Sequence, residues 1–362
     1  MTASDIVKHR LINQQIAETK FKKPHEIVSW MGAVQAQDFA MAKWAIGLRL
    51  SGLNDADVEK AFNDGAILRT HMLRPTWHFV TPADIRWMLA LTSPRVNVGN
   101  AHMYRKLELD NKIFKRSNDK LAKTLLGGKQ LTRSTLKAAL EKAKISSDGL
   151  RLGYLLMRAE LDGIICSGPR EGKQFTYALL EERVPSAITL DREEALAELT
   201  KRYFASRGPA TLQDFAWWSG LTMKDARAGM SALSSHFVHE HDSIYDQEYL
   251  FVGTESRLEP KHQSTFLMPD YDEYGISYRN RSYAQFNPKN IIGEKRDGNP
   301  VYNHMLVVDG VIRGTWRRVI KNKTVFIEIT SFITLNASKN HAVVKAVRKY
   351  IEFVGSKRNL KS

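Results

Sequence analysis

Two glutamines separated by one small residue, Gln35-Ala36-Gln37, follow a helical stretch that Gly32 ends. In an extended chain a spacing of two puts both carboxamides on one side. Two amides on one side can hold a single water through several hydrogen bonds. They cannot act as a strong general base, because a carboxamide does not titrate near neutrality. The same residues also fit a polar loop whose glutamines bond to backbone. Asp38 follows directly, but on a regular strand it falls on the opposite side. The densest carboxylate cluster is Asp270-Tyr271-Asp272-Glu273-Tyr274. The cluster reads either as a polar site wall, with Asp270, Asp272 and Tyr274, or as a general base, or else as a charged loop balancing Arg279 and Arg281.

Other chemistries find little support. Gly127-Gly128-Lys129 lacks the spacing and the following hydroxyl of a phosphate-binding loop, and no G-x-G-x-x-G follows a strand. His236, His239 and His241 alternate along an expected hairpin with no supporting carboxylate pattern, so no metal and no cofactor are expected. Ser167-Gly168 and Ser219-Gly220 are turn residues rather than nucleophile elbows. The single cysteine, Cys166, excludes an intramolecular disulfide and sits in an apolar strand, where it serves as a small core residue. No apolar stretch reaches the roughly 18 residues of a membrane helix, and the N-terminus carries no signal-peptide core. A cytoplasmic, membrane-free protein is expected.

The chain of 362 residues has 54 Lys+Arg against 39 Asp+Glu, a formal charge of +15, with 43% hydrophobic residues. That balance describes a globular protein with a polyanionic partner, most often nucleic acid. The charge is uneven. From Arg313 onward twelve basic residues face Glu328 and Glu352, and between Arg105 and Arg133 nine face Glu108, Asp110 and Asp119. Arg313, Arg317 and Arg318 interleave with strand-like sequence, so they hold fixed spacings that can follow a phosphate backbone.

A form that repeats without repeating its sequence must position these residues. In the first pass, helices are expected over 5–19, 24–31 and 54–62. Strands over 67–73 and 76–80 are broken by Arg74-Pro75, and Pro82 then opens a new helix. The second pass places helices over 118–126, 132–142 and 150–161. Its strands, 164–167 and 174–179, flank a polar turn with Arg170 and Lys173 near its tip. The third has helices over 192–206, 211–217 and 222–232 and a hairpin of 237–240 with 249–252. Helix, helix, helix, hairpin is the winged-helix plan. Beyond Pro260, strands over 265–267, 305–308, 311–315 and 324–329 dominate, with Asp309-Gly310 as a hairpin turn, before a helix over 341–353.

These segments resemble the AlkZ/YcaQ-like winged-helix DNA glycosylases. The likeness rests on the order and spacing of several stretches: Gly32-Ala33-Val34-Gln35-Ala36-Gln37; Arg69-Thr70-His71-Met72-Leu73-Arg74-Pro75-Thr76-Trp77-His78; Gly163 to Arg170; Arg202-Tyr203-Phe204 through Gly208-Pro209 to Trp217-Trp218-Ser219-Gly220; Phe266 to Tyr274; and Asp309-Gly310 to Arg318. Ala36 stands where the family usually has a larger apolar residue, and Arg74-Pro75-Thr76 replaces the more usual Arg-Gly-Thr. The resemblance implies an α+β architecture: three tandem winged-helix modules, 1–110, 111–190 and 191–258, with a β-rich C-terminal domain over 259–362.

By the same resemblance Gln35 and Gln37 form the catalytic pair of the Gln-x-Gln, AlkZ-like subtype. Arg74 and His78 on the first wing are placed to touch DNA or the site, or else are ordinary wing residues; with Arg69, with Arg170 and Lys173 on the second wing, and with Arg313, Arg317 and Arg318 from the charge pattern, they make up the expected DNA contacts. The implied activity is monofunctional hydrolysis of the N-glycosidic bond of alkylated purines, of the N7-alkylguanine type and including interstrand crosslinks. The implied partner is damaged double-stranded DNA, bound by a monomer that joins the nucleoid when on DNA. The competing expectation is a DNA-binding module without chemistry, either a winged-helix regulator or a divergent homologue.

Overall fold

The computed structural model describes residues 1–233, 237–242, 247–252, 265–281, 304–321 and 324–355. His236, Lys323, Lys357, Arg358 and Lys361, among the charged residues noted above, lie outside the described residues. Helix α1 (Ala3–Asn13) opens on a reciprocal Thr2–Asp5 capping box. Helix α2 (Pro24–Met31) has proline in its first turn and stops at Gly32, whose φ of 71° a side chain would strain. The two-residue strand β1 (Val34–Gln35) follows.

Helix α3 (Phe39–Leu48) was not expected from sequence. Asp38 is its N-cap and accepts the Met41 N–H at 3.0 Å. Phe39–Leu48 is buried nearly all round, so it lacks the polar face that makes a helix visible as periodicity. Then come α4 (Asp55–Asn63), strands β2 (Leu68–Met72) and β3 (Thr76–Val80), and the 25-residue α5 (Pro82–Lys106), which runs through Pro94.

The next stretch comprises α6 (Asn111–Leu125), β4 (Leu131–Thr132), α7 (Arg133–Lys142), α8 (Leu150–Leu161), β5 (Ile165–Ser167), β6 (Thr176–Leu179) and the short α9 (Leu180–Arg183). Helix α6 starts seven residues before its expected start, because Asp110 rather than a residue near Ser117 caps it. After it come α10 (Arg192–Arg207), α11 (Leu212–Ser219), α12 (Met223–Ser231), β7 (Val238–Asp242) and β8 (Gln247–Phe251). The C-terminal stretch holds β9 (Thr265–Met268), α13 (Glu273–Ile276), β10 (Met305–Val308), β11 (Val311–Lys321), β12 (Thr324–Ser331) and α14 (Ala337–Phe353).

The strands form small antiparallel sheets ordered β1-β3-β2, β4-β6-β5, β7-β8 and β12-β11-β10-β9. The turn between β10 and β11 is Asp309-Gly310, with φ of 52° and 76° at its two residues, the left-handed pair that a tight hairpin demands. Both strands after it run further than expected, β11 reaching Lys321.

Residues distant in sequence share one core. Ile27, Val28, Trp44 and Phe62 from the N-terminal helices are buried in the same cluster as Leu267, Val307, Trp316 and Tyr350. Trp44 meets the Tyr350 ring edge-on at 5.0 Å and donates its indole N–H to Leu267 O at 2.7 Å. Gly47 lies so close to Phe353 that a Cβ there would stand 2.3 Å from the ring. Helix α3 is thereby fixed between the segment carrying the glutamines and the C-terminal sheet.

Candidate functional site

Strand β1 is too short to be held by a ladder alone. It pairs with β3 only through Val34 with Phe79 and Gln35 with His78, and Ala36 N–H adds a bond to Trp77 O at 2.7 Å. Buried side chains supply the remaining partners. Arg207, at the end of α10, donates to Met31 O at 2.7 Å and to Ala33 O at 2.9 Å. Glu273, opening α13, accepts the Gln35 N–H at 2.9 Å through one carboxylate oxygen. Its other oxygen accepts from Arg207 at 2.8 Å, the Trp218 indole at 2.9 Å and the Ser277 hydroxyl at 2.5 Å. Arg69 Nε donates to Ala36 O at 2.9 Å. Consecutive peptide groups around the pair are therefore pinned by charged, solvent-excluded groups, the arrangement that best resists local motion.

The electrostatics follow. Burial by itself would push the Glu273 carboxyl up, but the Arg207 charge, the Ser277 hydroxyl and the Gln35 N–H together hold it down at about 2. Burial lowers Arg69 to about 10 despite nearby Glu160. Burial, and then the Arg74 charge, push His78 down to about 3, so its ring is neutral.

The two glutamines differ. Gln35 is buried, and its Oε1 accepts from Arg74 Nη2 at 3.2 Å. Gln37 is exposed, and its Oε1 lies 3.5 Å from the Trp77 N–H, a long contact that leaves the amide adaptable. Exposed Trp217 on α11 sits beside Arg74, with the guanidinium 5.9 Å from its ring. Gly220, at the end of α11, makes this approach possible: a Cβ there would meet Leu73 O at 2.2 Å.

Several sequence expectations change place. Arg69 and His78, expected at the DNA, are buried; Arg69 turns inward between Trp77 and Phe175 to clamp Ala36. Asp272 and Tyr274, expected as a site wall, lie beneath the surface. Asp272 makes a two-pronged ion pair with Arg49 at 2.8 and 2.9 Å, and Tyr274 donates to Gly310 O at 2.5 Å. The reason is α13, whose single turn sends Asp272 back to cap the helix and points Glu273 toward β1. Arg170 is half-buried, paired with Glu59 at 2.9 Å and lying over Phe39 and Phe175. Lys173, Arg317 and Arg318 are exposed and Arg313 half-buried; Arg317 pairs with Glu328 at 2.5 Å, and Arg318 donates to the Tyr350 hydroxyl at 3.3 Å.

Glu273, Arg207 and Trp218 were missed as site residues. Arg207 carried a signal, since it extends the buried series Leu199, Tyr203, Phe204 at helical spacing, where a cation requires a buried anion. Glu273 carried none, being one of three carboxylates in a row of five residues.

Asp270 is the one acidic wall residue that stays near the surface. Burial, then the charge of Asp38, raise its carboxyl to about 6. His304 Nδ1 lies 3.1 Å away, yet burial lowers that ring to about 4, so the imidazole does not offset the penalty. A raised carboxyl contributes stability that is complete below its ordinary value of 3.8 and lost as pH rises through about 6. Asp270→Asn should therefore melt with the wild type below about pH 4 and above it in temperature beyond about pH 6. Identical melting curves at both ends of that range would refute the assignment.

Among the described residues no group of three or more His, Cys, Asp or Glu could hold a metal ion, and no helix is long and apolar enough to cross a membrane. Cys166 is buried and its thiol is pushed up to about 12 by that burial, a core residue.

The chain is thus a mixed α and β protein of strongly basic charge, in which two uncharged carboxamides, one buried and one exposed, lie at the end of a tightly bonded strand. The family model for DNA glycosylase AlkZ-like proteins matches residues 28–353, and the chain belongs to that family. It is 26% identical over 206 residues to an interstrand DNA cross-link repair glycosylase of Streptomyces sahachiroi, a match covering 54% of each, so the chain spans about half the length of that curated relative. The solved structure of Streptomyces sahachiroi DNA glycosylase AlkZ superposes with a TM-score of 0.81 at 19% identity, over 99% of this chain and 98% of that one, which shows a shared fold.

Proposed function

We propose that the protein is a monofunctional DNA glycosylase that hydrolyses the N-glycosidic bond of alkylated purines, of the N7-alkylguanine type and including interstrand crosslinks, with Gln35 and Gln37 holding the attacking water. The observation that carries this reading is the clamped β1 segment. Arg207, Glu273 and Arg69 fix the backbone on both sides of a side chain that cannot itself take a proton. An N7-alkylated guanine is already cationic, so its bond to C1′ is weak and the departing base needs little protonation. What such a reaction needs is a water set against an oxocarbenium-like carbon, and pre-organisation of that kind contributes up to roughly 7–11 kcal/mol in ideal cases. The Gln35-Ala36-Gln37 motif itself supplies no lysine, so the reading is hydrolysis without Schiff-base chemistry.

The three successive helix groups, each followed by a small antiparallel sheet, serve in this reading as winged-helix modules over 1–110, 111–190 and 191–258, with 259–362 as the β-rich domain. A monomer holds damaged duplex through exposed Lys173, Arg317 and Arg318 and half-buried Arg313, wherever the cell keeps its DNA. The test is incubation of the purified protein with an N7-methylguanine duplex and with a crosslinked duplex. Free base and an abasic strand are the expected products. Tight binding with no release from either duplex would reduce the protein to a DNA-binding module.

A further inference from the structure

Three buried polar side-chain atoms on the β2–β3 hairpin, Thr70 Oγ1, Thr76 Oγ1 and His78 Nε2, have no hydrogen-bond partner in the protein. Buried polar atoms are nearly always satisfied, so a concentration of exceptions calls for a cause. Their place in the sheet supplies one. The register pairs Gln35 with His78 on one side and His78 with Thr70 on the other. Directly opposed residues of antiparallel strands project to the same face, with Cβ atoms about 4.5–5.5 Å apart. Gln35, His78 and Thr70 therefore form one row across the sheet, with His78 in the middle.

The chemistry of the row is complementary. His78 Nδ1 lies 2.9 Å from Thr76 O, a contact that requires the Nδ1–H tautomer and leaves Nε2 as an acceptor. His78 and Thr70 are both fully buried. Gln35 spends its oxygen on Arg74 and keeps its amide N–H groups to donate. A water in this row can donate to His78 Nε2 and accept from the Gln35 amide, while the Thr70 hydroxyl takes a third bond; buried waters typically make about three. The charged and titratable groups nearest the ring, Arg74, Glu273 and His71, leave it neutral across the working range.

We infer that His78 is a positioning residue for Gln35, holding its carboxamide through a buried water shared with Thr70, rather than a contact to DNA. The inference rests on the water-placing role proposed above for the glutamines. Arg74 grips the oxygen end of the Gln35 amide and the His78 water grips the nitrogen end, so the plane of the carboxamide is fixed at both ends. Without the second grip Gln35 can rotate about the Arg74 bond and present the wrong edge to the reacting water.

Two variants and one spectrum test this. His78→Asn keeps a donor for Thr76 O but removes the Nε2 acceptor, whereas His78→Gln restores an acceptor at the Nε2 position. At saturating enzyme, His78→Asn should slow single-turnover base release by roughly 10- to 100-fold, the scale of a small misplacement of a catalytic group. DNA affinity and melting temperature should stay near wild type, and His78→Gln should recover most of the rate. Equal losses in both variants, a wild-type rate in His78→Asn, or a loss carried by DNA affinity would overturn the inference. Nitrogen-15 spectra of the wild-type imidazole should show protonated Nδ1 and hydrogen-bonded Nε2 between about pH 5 and 8. The Nε2 resonance should shift in Thr70→Val and in Gln35→Ala but hold in Gln37→Ala. An Nε2–H tautomer, or a resonance indifferent to Gln35, would also overturn it. If the wild type releases no base from either duplex, the hydrolase reading falls, and the spectrum still decides the link between His78 and Gln35.

Discussion

Glu273→Ala should lose about 3–5 kcal/mol of unfolding free energy, the range for removing one partner of a buried ion pair. The charge of Arg207 would remain in a fully buried site with only Ser277, Ser206 and backbone carbonyls to receive it. The Trp218 indole and the Gln35 N–H would also lose their acceptor. Glu273→Gln separates charge from shape. It keeps a carbonyl for one of those donors, removes the negative charge, and should fall between the wild type and the alanine variant. The pH dependence identifies the cause. A carboxyl lowered from its ordinary 4.5 to about 2 contributes stability that is complete above 4.5 and lost as pH falls toward 2. Wild-type stability should therefore decline over that window, and Glu273→Gln should decline less. Denaturant melts at neutral pH and at about pH 3 measure both effects. A change under about 1 kcal/mol in the alanine variant would mean the network is not the clamp described.

The same network shows why the sequence could be read only in part. Helices announced by caps and apolar stripes were legible: Pro24, Asn54, Thr132 and Thr211 each mark a start. Asp309-Gly310 marked its hairpin because few residue pairs tolerate two left-handed conformations. Helix α3 escaped because burial on all sides erases the contrast that pattern reading depends on. The glutamines were legible as an odd pair of amides at a spacing of two. Their supports were not, since Arg207 and Glu273 lie 172 and 238 positions beyond Gln35 and meet it only through tertiary packing. Arg69 and His78 misled for a related reason. On a hairpin open to solvent they would be exposed, but here strands β2 and β3 are covered, and Arg69 is turned inward to hold Ala36.

On the proposed mechanism Gln35→Ala and Gln37→Ala should each slow base release by roughly 10²–10³-fold under single-turnover conditions, the cost of deleting one pre-organised polar contact at a reacting centre. The two losses should differ in kind. Gln35 is buried and accepts from Arg74, so its removal takes one partner from that guanidinium and should weaken DNA affinity slightly as well. Gln37 is exposed and held by one long contact, so its removal should leave affinity and melting temperature unchanged. The double variant should be little slower than either single one, because residues that place one water act as a unit. Gln37→Asp tests the chemistry directly. A carboxylate at the exposed position can accept a hydrogen from the water and should keep activity well above that of Gln37→Ala, whereas Gln35→Asp is one methylene shorter, buries a charge and loses the present contact with Arg74, and should not. Equal activity of all four single variants would separate the site from the activity, even if base release itself is observed.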